Sequence, residues 1–254
     1  MTRIFDTFLF SNELEILDYR LWYLHKYVST FVLVESPLNH RNQFKPLYYE
    51  QNKSLFKKYN IKHLVIGDYG ISGDSDVAAS QREDYSRAYI DTVGFTDNDY
   101  VLYSDVDEIP RRESISRAIL KSKEYKSIVA FEQYLSYYFA NLRSQTLWYG
   151  TKGAFKRDLK SVLHLRQCTI QTVLYVELAG WHLSYCGGKD KIQEKLQSFC
   201  HADMVRQYST EDNINEALAT GKNLFNRQNE HFYLTDNDLP PEIQRFNGLY
   251  RKEL

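Results

Sequence analysis

The sequence predicts an α/β protein with a mostly parallel central sheet and helices on both faces. Strand-length apolar runs alternate with helical segments four times within the first 105 residues. The runs are close to continuously apolar, as in strands buried on both faces, and the connections between them are short. At 254 residues the chain can bury a substantial core.

The elements follow in order. RIFDTFLF (3–10) reads as a strand. Leu14, Leu17, Leu21, Leu24 and Val28 then recur at helical spacing over 13–27, with Ser11 or Asn12 as cap and Glu13 and Glu15 in the first turn, where the dipole favours negative charge. TFVLVES (30–36) is a second strand, 47–59 a tyrosine-rich helix, IKHLVIGD (61–68) a third strand and 76–93 a helix. YVLYSD (100–105) is the fourth strand. Beyond it the pattern loosens. Residues 127–139, 147–155 and 177–186 read as strands, and 188–200 and 210–220 as helices. No repeat or linker divides the chain, so 1–235 is expected to form one domain with halves 1–110 and 111–235. The polar stretch 236–254, with its Pro pair, reads as a partly mobile tail.

Composition narrows the function. Lys plus Arg number 32 against 33 for Asp plus Glu, a net charge of −1, so no field selects nucleic acid or an anionic membrane. Cys168, Cys186 and Cys200 lack the spacing of a zinc or redox motif. No secretory signal and no run long enough to span a bilayer is present. A soluble, cytoplasmic protein is expected, meeting a membrane surface only through its substrate. The 21 Tyr and 14 Phe suggest an aromatic-rich cleft as well as a core.

In open parallel sheets ligands bind beyond the carboxyl ends of the strands, and here those ends carry Asn12, Glu35, Asp68 and Asp105. The sharpest signal is YVLYSDVDEIPRRE (100–113). Asp105 and Asp107 follow an apolar strand, with Glu108 beside them, and Glu108 and Pro110 are read as ending that strand. Carboxylates this close repel unless a cation lies between them, and hard oxygen ligands suit Mg²⁺ or Mn²⁺ on a diphosphate. Taken alone, an Asp-x-Asp is as readily an acidic turn. A second signal is ELAGWHLSYCGGKDK, where Trp181, His182 and the Gly187–Gly188 turn come together; His182 is a candidate metal ligand and His201 a weaker one. Lys189, Lys191 and Lys195 are candidates for phosphate or an ordinary solvated helix face. In SQREDYSRAYI (80–90), Arg82 and Arg87 could pair a diphosphate or form surface salt bridges. There is no Walker loop, no G-x-G-x-x-G and no nucleophile elbow.

Together, FDTFLFSNELEILDYRLWYL, FVLVESPLNHRNQFKPLYY, QREDYSRAYI, YVLYSDVDEIPR and AGWHLSYCGG with KLQSFCH resemble the glycosyltransferase family of the β-1,4-mannosyl-glycoprotein 4-β-N-acetylglucosaminyltransferase, over about residues 3–205. The strings 105–111 and Gly180–His182 are its most specific parts. The resemblance implies a GT-A type nucleotide-sugar-binding fold, an inverting mechanism, a UDP-sugar donor such as UDP-GlcNAc, and Mn²⁺ or Mg²⁺. It implies Asp105, Asp107 and His182 as metal ligands. Asn12, Glu35, Arg82, Arg87, Asp105, Trp181 and Lys189 would meet the donor. The membrane anchor and stem of the animal enzymes find no counterpart, so Golgi residence and the bisected N-glycan acceptor are not carried over.

An inverting transfer needs one general base, usually a carboxylate. Glu132, Glu108 and Glu177 are the candidates, and Tyr134, Tyr137, Tyr138, Trp148 and Trp181 are possible sugar platforms. The acceptor would be a protein-, lipid- or polysaccharide-linked glycan. Two other readings compete: a haloacid-dehalogenase-type phosphatase, whose motif normally lies near the N-terminus, and a sugar-binding module without catalysis.

Overall fold

A computed structural model describes residues 2–198, 208, 210–225, 230, 232–246 and 248–251. The first half follows the apolar pattern closely. Strands β1 (Ile4–Leu9), β2 (Thr30–Glu35), β3 (Ile61–Val65) and β4 (Tyr100–Asp105) are parallel in the spatial order β4-β1-β2-β3. Helices α1 (Leu14–Leu24), α2 (Tyr48–Asn52) and α3 (Asp76–Tyr89) connect them, α2 and α3 each running on into a 3₁₀ turn. Alternation along the strands supplies both faces. Phe31, Leu33, Tyr100 and Leu102 pack with Leu17, Leu21 and Leu24 of α1, whereas Phe5, Val32, Val34, Val101 and Tyr103 pack on the other side with Ile90 beyond α3.

The second half extends the same sheet with antiparallel pairings. Strand β8 (Lys152–Phe155) runs antiparallel to β4, and β6 (Val129–Tyr137) antiparallel to β8. Next to β6 lie β7 (Leu142–Trp148), antiparallel, and β9 (Leu174–Ser184), parallel, while β10 (Phe232–Leu234) closes the edge beside β7. The expected single strand at 147–155 is thus the end of β7, a turn at Gly150 and all of β8. Glu108 and Pro110 do not end the structure after β4: with Ile109 they form a short strand β5 (Glu108–Pro110), antiparallel to β9. Two helices escape the sequence reading. In α4 (Arg112–Tyr125) the buried face consists of Ser114, Ile115, Ala118 and Ser122, too small and polar to show as an apolar stripe. Helix α5 (Val162–Gln167) spans six residues, less than two turns. Helices α6 (Lys189–Ser198) and α7 (Glu211–Thr220) complete the order.

The stretch after 235 is not a free tail over its described residues. Ile243 and Leu249 are fully buried in the main core, the Tyr19 hydroxyl donates to the Pro241 carbonyl, and Arg143 donates to that of Asn237. Its polar composition hid two apolar anchors. Among the described residues no helix is long and apolar enough to cross a membrane.

Candidate active site

The carboxyl end of β4 is shaped by an arginine from α1. Arg20 is completely buried and pairs with Asp6, also completely buried, at 2.6 Å and 2.8 Å. Its remaining donors reach the Ser104 hydroxyl and the carbonyls of Asp105, Val106 and Glu108 at 2.7–3.1 Å. The guanidinium thereby dictates the turn on which both aspartates sit.

That turn aims the two carboxylates at different partners. Asp107 is buried and receives the Lys195 ammonium of α6 on Oδ2 at 2.8 Å, with His182 Nε2 3.7 Å from Oδ1. Burial works against its charged form, but Lys195 and His182 outweigh it and hold the carboxyl far below the usual range. His182 comes from β9, paired in register with Glu108, and its Nδ1 is buried without a hydrogen-bond partner among the described residues. Asp105 instead faces α5: Arg166 donates to its Oδ2 at 3.2 Å, and the Tyr103 hydroxyl, itself bonded to Arg87, lies 3.4 Å from Oδ1. Burial again opposes ionisation, and Arg166 and Arg87 hold the carboxyl below its ordinary value.

The expected ligands Asp105, Asp107 and His182 are shared between different partners here. Among the described residues no three His, Cys, Asp or Glu side chains gather into a metal-binding group, because Arg166 draws Asp105 toward α5. What remains is a carboxylate and an imidazole, both largely buried. That donor pair suits Mn²⁺ or Mg²⁺ if diphosphate oxygens and water supply the other positions.

Glu108 is the hub behind the site. It is completely buried and accepts from Trp148 Nε1 at 2.7 Å, Arg166 at 3.3 Å and the Asp105 backbone N–H at 2.9 Å. Both oxygens are engaged, and through them Glu108 holds Asp105, Trp148 and Arg166 in place. The Trp148 ring in turn lies 5.0 Å from that of His182. Gly150 makes room for this hub, since a Cβ there would fall 2.0 Å from Glu108 Oε1 and 2.3 Å from Trp148 Nε1. Gly180 serves similarly where β5 meets β9: a Cβ there would stand 2.4 Å from the Ile109 carbonyl oxygen.

Several expected donor contacts are committed elsewhere. Glu35 is buried, one oxygen accepting from the Tyr49 backbone N–H at 3.0 Å and the other 3.2 Å from His63, so it anchors α2 instead of presenting itself to a ligand. Arg82 is completely buried and donates to the carbonyls of His40, Ile71 and Gly73, tying two loops together. Arg87 reaches the site only through Tyr103. Trp181 points into the core, where its N–H donates to the Asp238 carbonyl at 2.6 Å, because adjacent positions on a strand face opposite ways and His182 takes the site side. Lys189 pairs with Glu211 of α7. Asn12 is buried at the end of β1 and its carbonyl accepts from Lys191 at 2.9 Å. His201 and Cys200 lie outside the described residues.

Of the other carboxylates, Glu177 is exposed on β9. Glu132 is buried, with Tyr149 donating at 2.7 Å and the Leu178 backbone N–H at 3.2 Å, one donor on each oxygen. Lys152 is the register partner of both Tyr103 and Ala130. Asp105 and Glu132 each lie two residues on from these partners of one β8 residue. Burial and Glu132 push the Tyr149 hydroxyl up to about 12, so it stays a proton donor to that carboxylate.

Sequence reasoning missed Arg20 and Arg166, since nothing in LDYRLWYL or VLHLRQ marks an arginine as bound for an aspartate 14 or 61 residues away. Comparison with known proteins now adds to the geometry. The family model of glycosyltransferase family 17 matches residues 1–241. A search of curated protein sequences found no match. Among solved structures, a 4-diphosphocytidyl-2C-methyl-D-erythritol synthase from Anaerococcus prevotii DSM 20548 is similar at 10% identity and TM-score 0.43, covering 75% of this chain and 93% of that one. A Mycobacterium tuberculosis rv0371c homolog from Mycobacterium sp. strain JC1 is similar at 9% identity and TM-score 0.39, covering 76% and 94%.

Proposed function

The chain belongs to glycosyltransferase family 17, and from that membership we propose that it transfers GlcNAc from UDP-GlcNAc to a glycan hydroxyl, with inversion, using Mn²⁺ or Mg²⁺ held by Asp107 and His182. A sugar donor and a glycan acceptor are the substrates of such a family, which sets aside the phosphatase reading. The observation that supports the finer assignment best is the buried Asp107–His182 pair at the carboxyl end of the parallel sheet. When bound, the cation supplies positive charge to the diphosphate and its departing oxygen.

The chain's own groups do the rest. Arg20 and Glu108 hold the Asp105–Asp107 turn in place before any ligand arrives. Arg166 and Lys195 bring two further positive charges to the same end of the sheet, where charge builds on the leaving UDP. The acceptor oxygen attacks the anomeric carbon as the bond to the UDP oxygen breaks on the opposite side, and the hydroxyl proton passes to a carboxylate. We assign that base to Glu132, a buried carboxylate two residues on from Ala130, whose β8 partner Lys152 also pairs with β4; it accepts one hydrogen bond on each oxygen and keeps a lone pair on each. Glu132→Gln is expected to lower kcat by about 10²–10⁴-fold while leaving UDP affinity unchanged, measured by turnover and by calorimetry. A loss of UDP binding in that variant would assign Glu132 a structural role instead.

The test of the function itself needs no acceptor. Calorimetric titration with UDP and with UDP-GlcNAc, each with Mn²⁺ and with EDTA, is expected to show binding only when the metal is present. Absence of heat with every UDP species would remove the nucleotide-sugar reading.

A further inference from the structure

The carboxylate proposed to receive the metal is already paired with a cation of the protein. Lys195 lies 2.8 Å from Asp107 Oδ2; Asp107 is only 3% exposed, while the lysine side chain is partly open to solvent. A divalent ion approaching Asp107 meets both the occupied oxygen and a like charge beside it, and beside a buried carboxylate that repulsion is screened less than in open water. Asp107 and His182 supply two donors, and among the described residues no third side chain makes up a metal-binding group.

Lys195 is carried by a helix that enters through two glycines and is anchored by buried Ile192 and Leu196. Helix α6 follows Gly187 and Gly188, with φ of 114° and 91°, and a Cβ at Gly188 would touch nothing. One turn before Lys195, Lys191 donates to the Asn12 carbonyl at the end of β1 at 2.9 Å. The helix therefore lies across the carboxyl ends of β1 and β4 and presents two ammonium groups on one side, four residues apart.

Building on the nucleotide-sugar reading above, we infer that Lys195 is a resident counter-cation of Asp107 that must be released before a divalent ion is seated, and that a nucleoside diphosphate releases it by offering a replacement anion. Metal and diphosphate then bind cooperatively, each weakly alone. By linkage the factor by which UDP tightens Mn²⁺ equals the factor by which Mn²⁺ tightens UDP. Lys195 is a positioning residue in this arrangement: it sets the order in which the site fills.

The experiment is Mn²⁺ binding followed by the electron paramagnetic resonance signal of free Mn²⁺, without and with UDP, in the wild-type chain and in Lys195→Ala and Lys195→Met. In the wild type UDP should tighten Mn²⁺ by at least about tenfold. In the variants Mn²⁺ alone should bind about tenfold more tightly than in the wild type, and UDP should add much less. The methionine variant keeps the length and apolar stem of the side chain, so α6 stays packed if alanine loosens it. Unchanged affinity for Mn²⁺ alone in both folded variants would overturn the counter-cation role. Failure of the wild type to bind UDP with Mn²⁺ would instead overturn the nucleotide-sugar reading, so the two failures are separable.

Discussion

Arg20→Met is expected to lower the melting temperature by roughly 10 °C and to abolish metal-dependent UDP binding. The variant leaves Asp6 charged, completely buried and without its partner. Breaking a buried pair from one side costs about 3–5 kcal/mol, and in a chain of this size each kcal/mol shifts the midpoint by about 2–4 °C. Thermal melts check the first effect and calorimetry the second. The double variant Arg20→Met/Asp6→Leu separates them. Replacing both partners with apolar groups should restore most of the stability. It should not restore binding, because the carbonyls of Asp105, Val106 and Glu108 still lack the donor that shapes their turn. Binding that returns with stability would show that Arg20 serves the fold alone.

Asp107→Ala is expected to cut donor turnover by about 10³-fold, the effect typical of removing one preorganised electrostatic group. Circular dichroism should be unchanged at pH 7, since Lys195 is partly exposed and can turn to water when its partner goes. Acid titration adds a second readout. The folded-state value of Asp107 lies far below the unfolded value of about 3.9. Its ionised form thus contributes stability above that unfolded value, and the contribution is lost as pH falls toward the folded one. Any difference in melting temperature between wild type and Asp107→Ala should accordingly be present at pH 7 and shrink below pH 4. Full turnover in Asp107→Ala would refute the assigned site.

Strands β1, β2 and β4 were readable because burial on both faces leaves continuous apolar runs, and each falls within a residue of its run's start; β3 was found in its place but is an edge strand with no buried residue, not the buried strand its apolar run suggested. Helix α4 was not, because small residues such as Ala118 and Ser122 let it approach the sheet without an apolar stripe. Asp105, Asp107 and His182 were legible as chemistry, the two aspartates following an apolar strand and the histidine standing in a Gly-Trp-His string. Their grouping was not legible. Glu35 and Arg82 both stand where a ligand contact is plausible, and the structure engages Glu35 with the Tyr49 backbone and the His63 ring and Arg82 with loop carbonyls.

By itself the sequence determined the α/β class and the place of Asp105 at the carboxyl end of β4, since periodicity and residue type are local properties. Tertiary structure alone decided how the charged groups there are shared out. Arg20 and Arg166 reach the turn from 85 and 61 residues away, splitting Asp105 from Asp107, and Lys195 crosses 88 residues to neutralise the latter. A side chain's charge is written in the sequence, but its partner is set by which elements pack together.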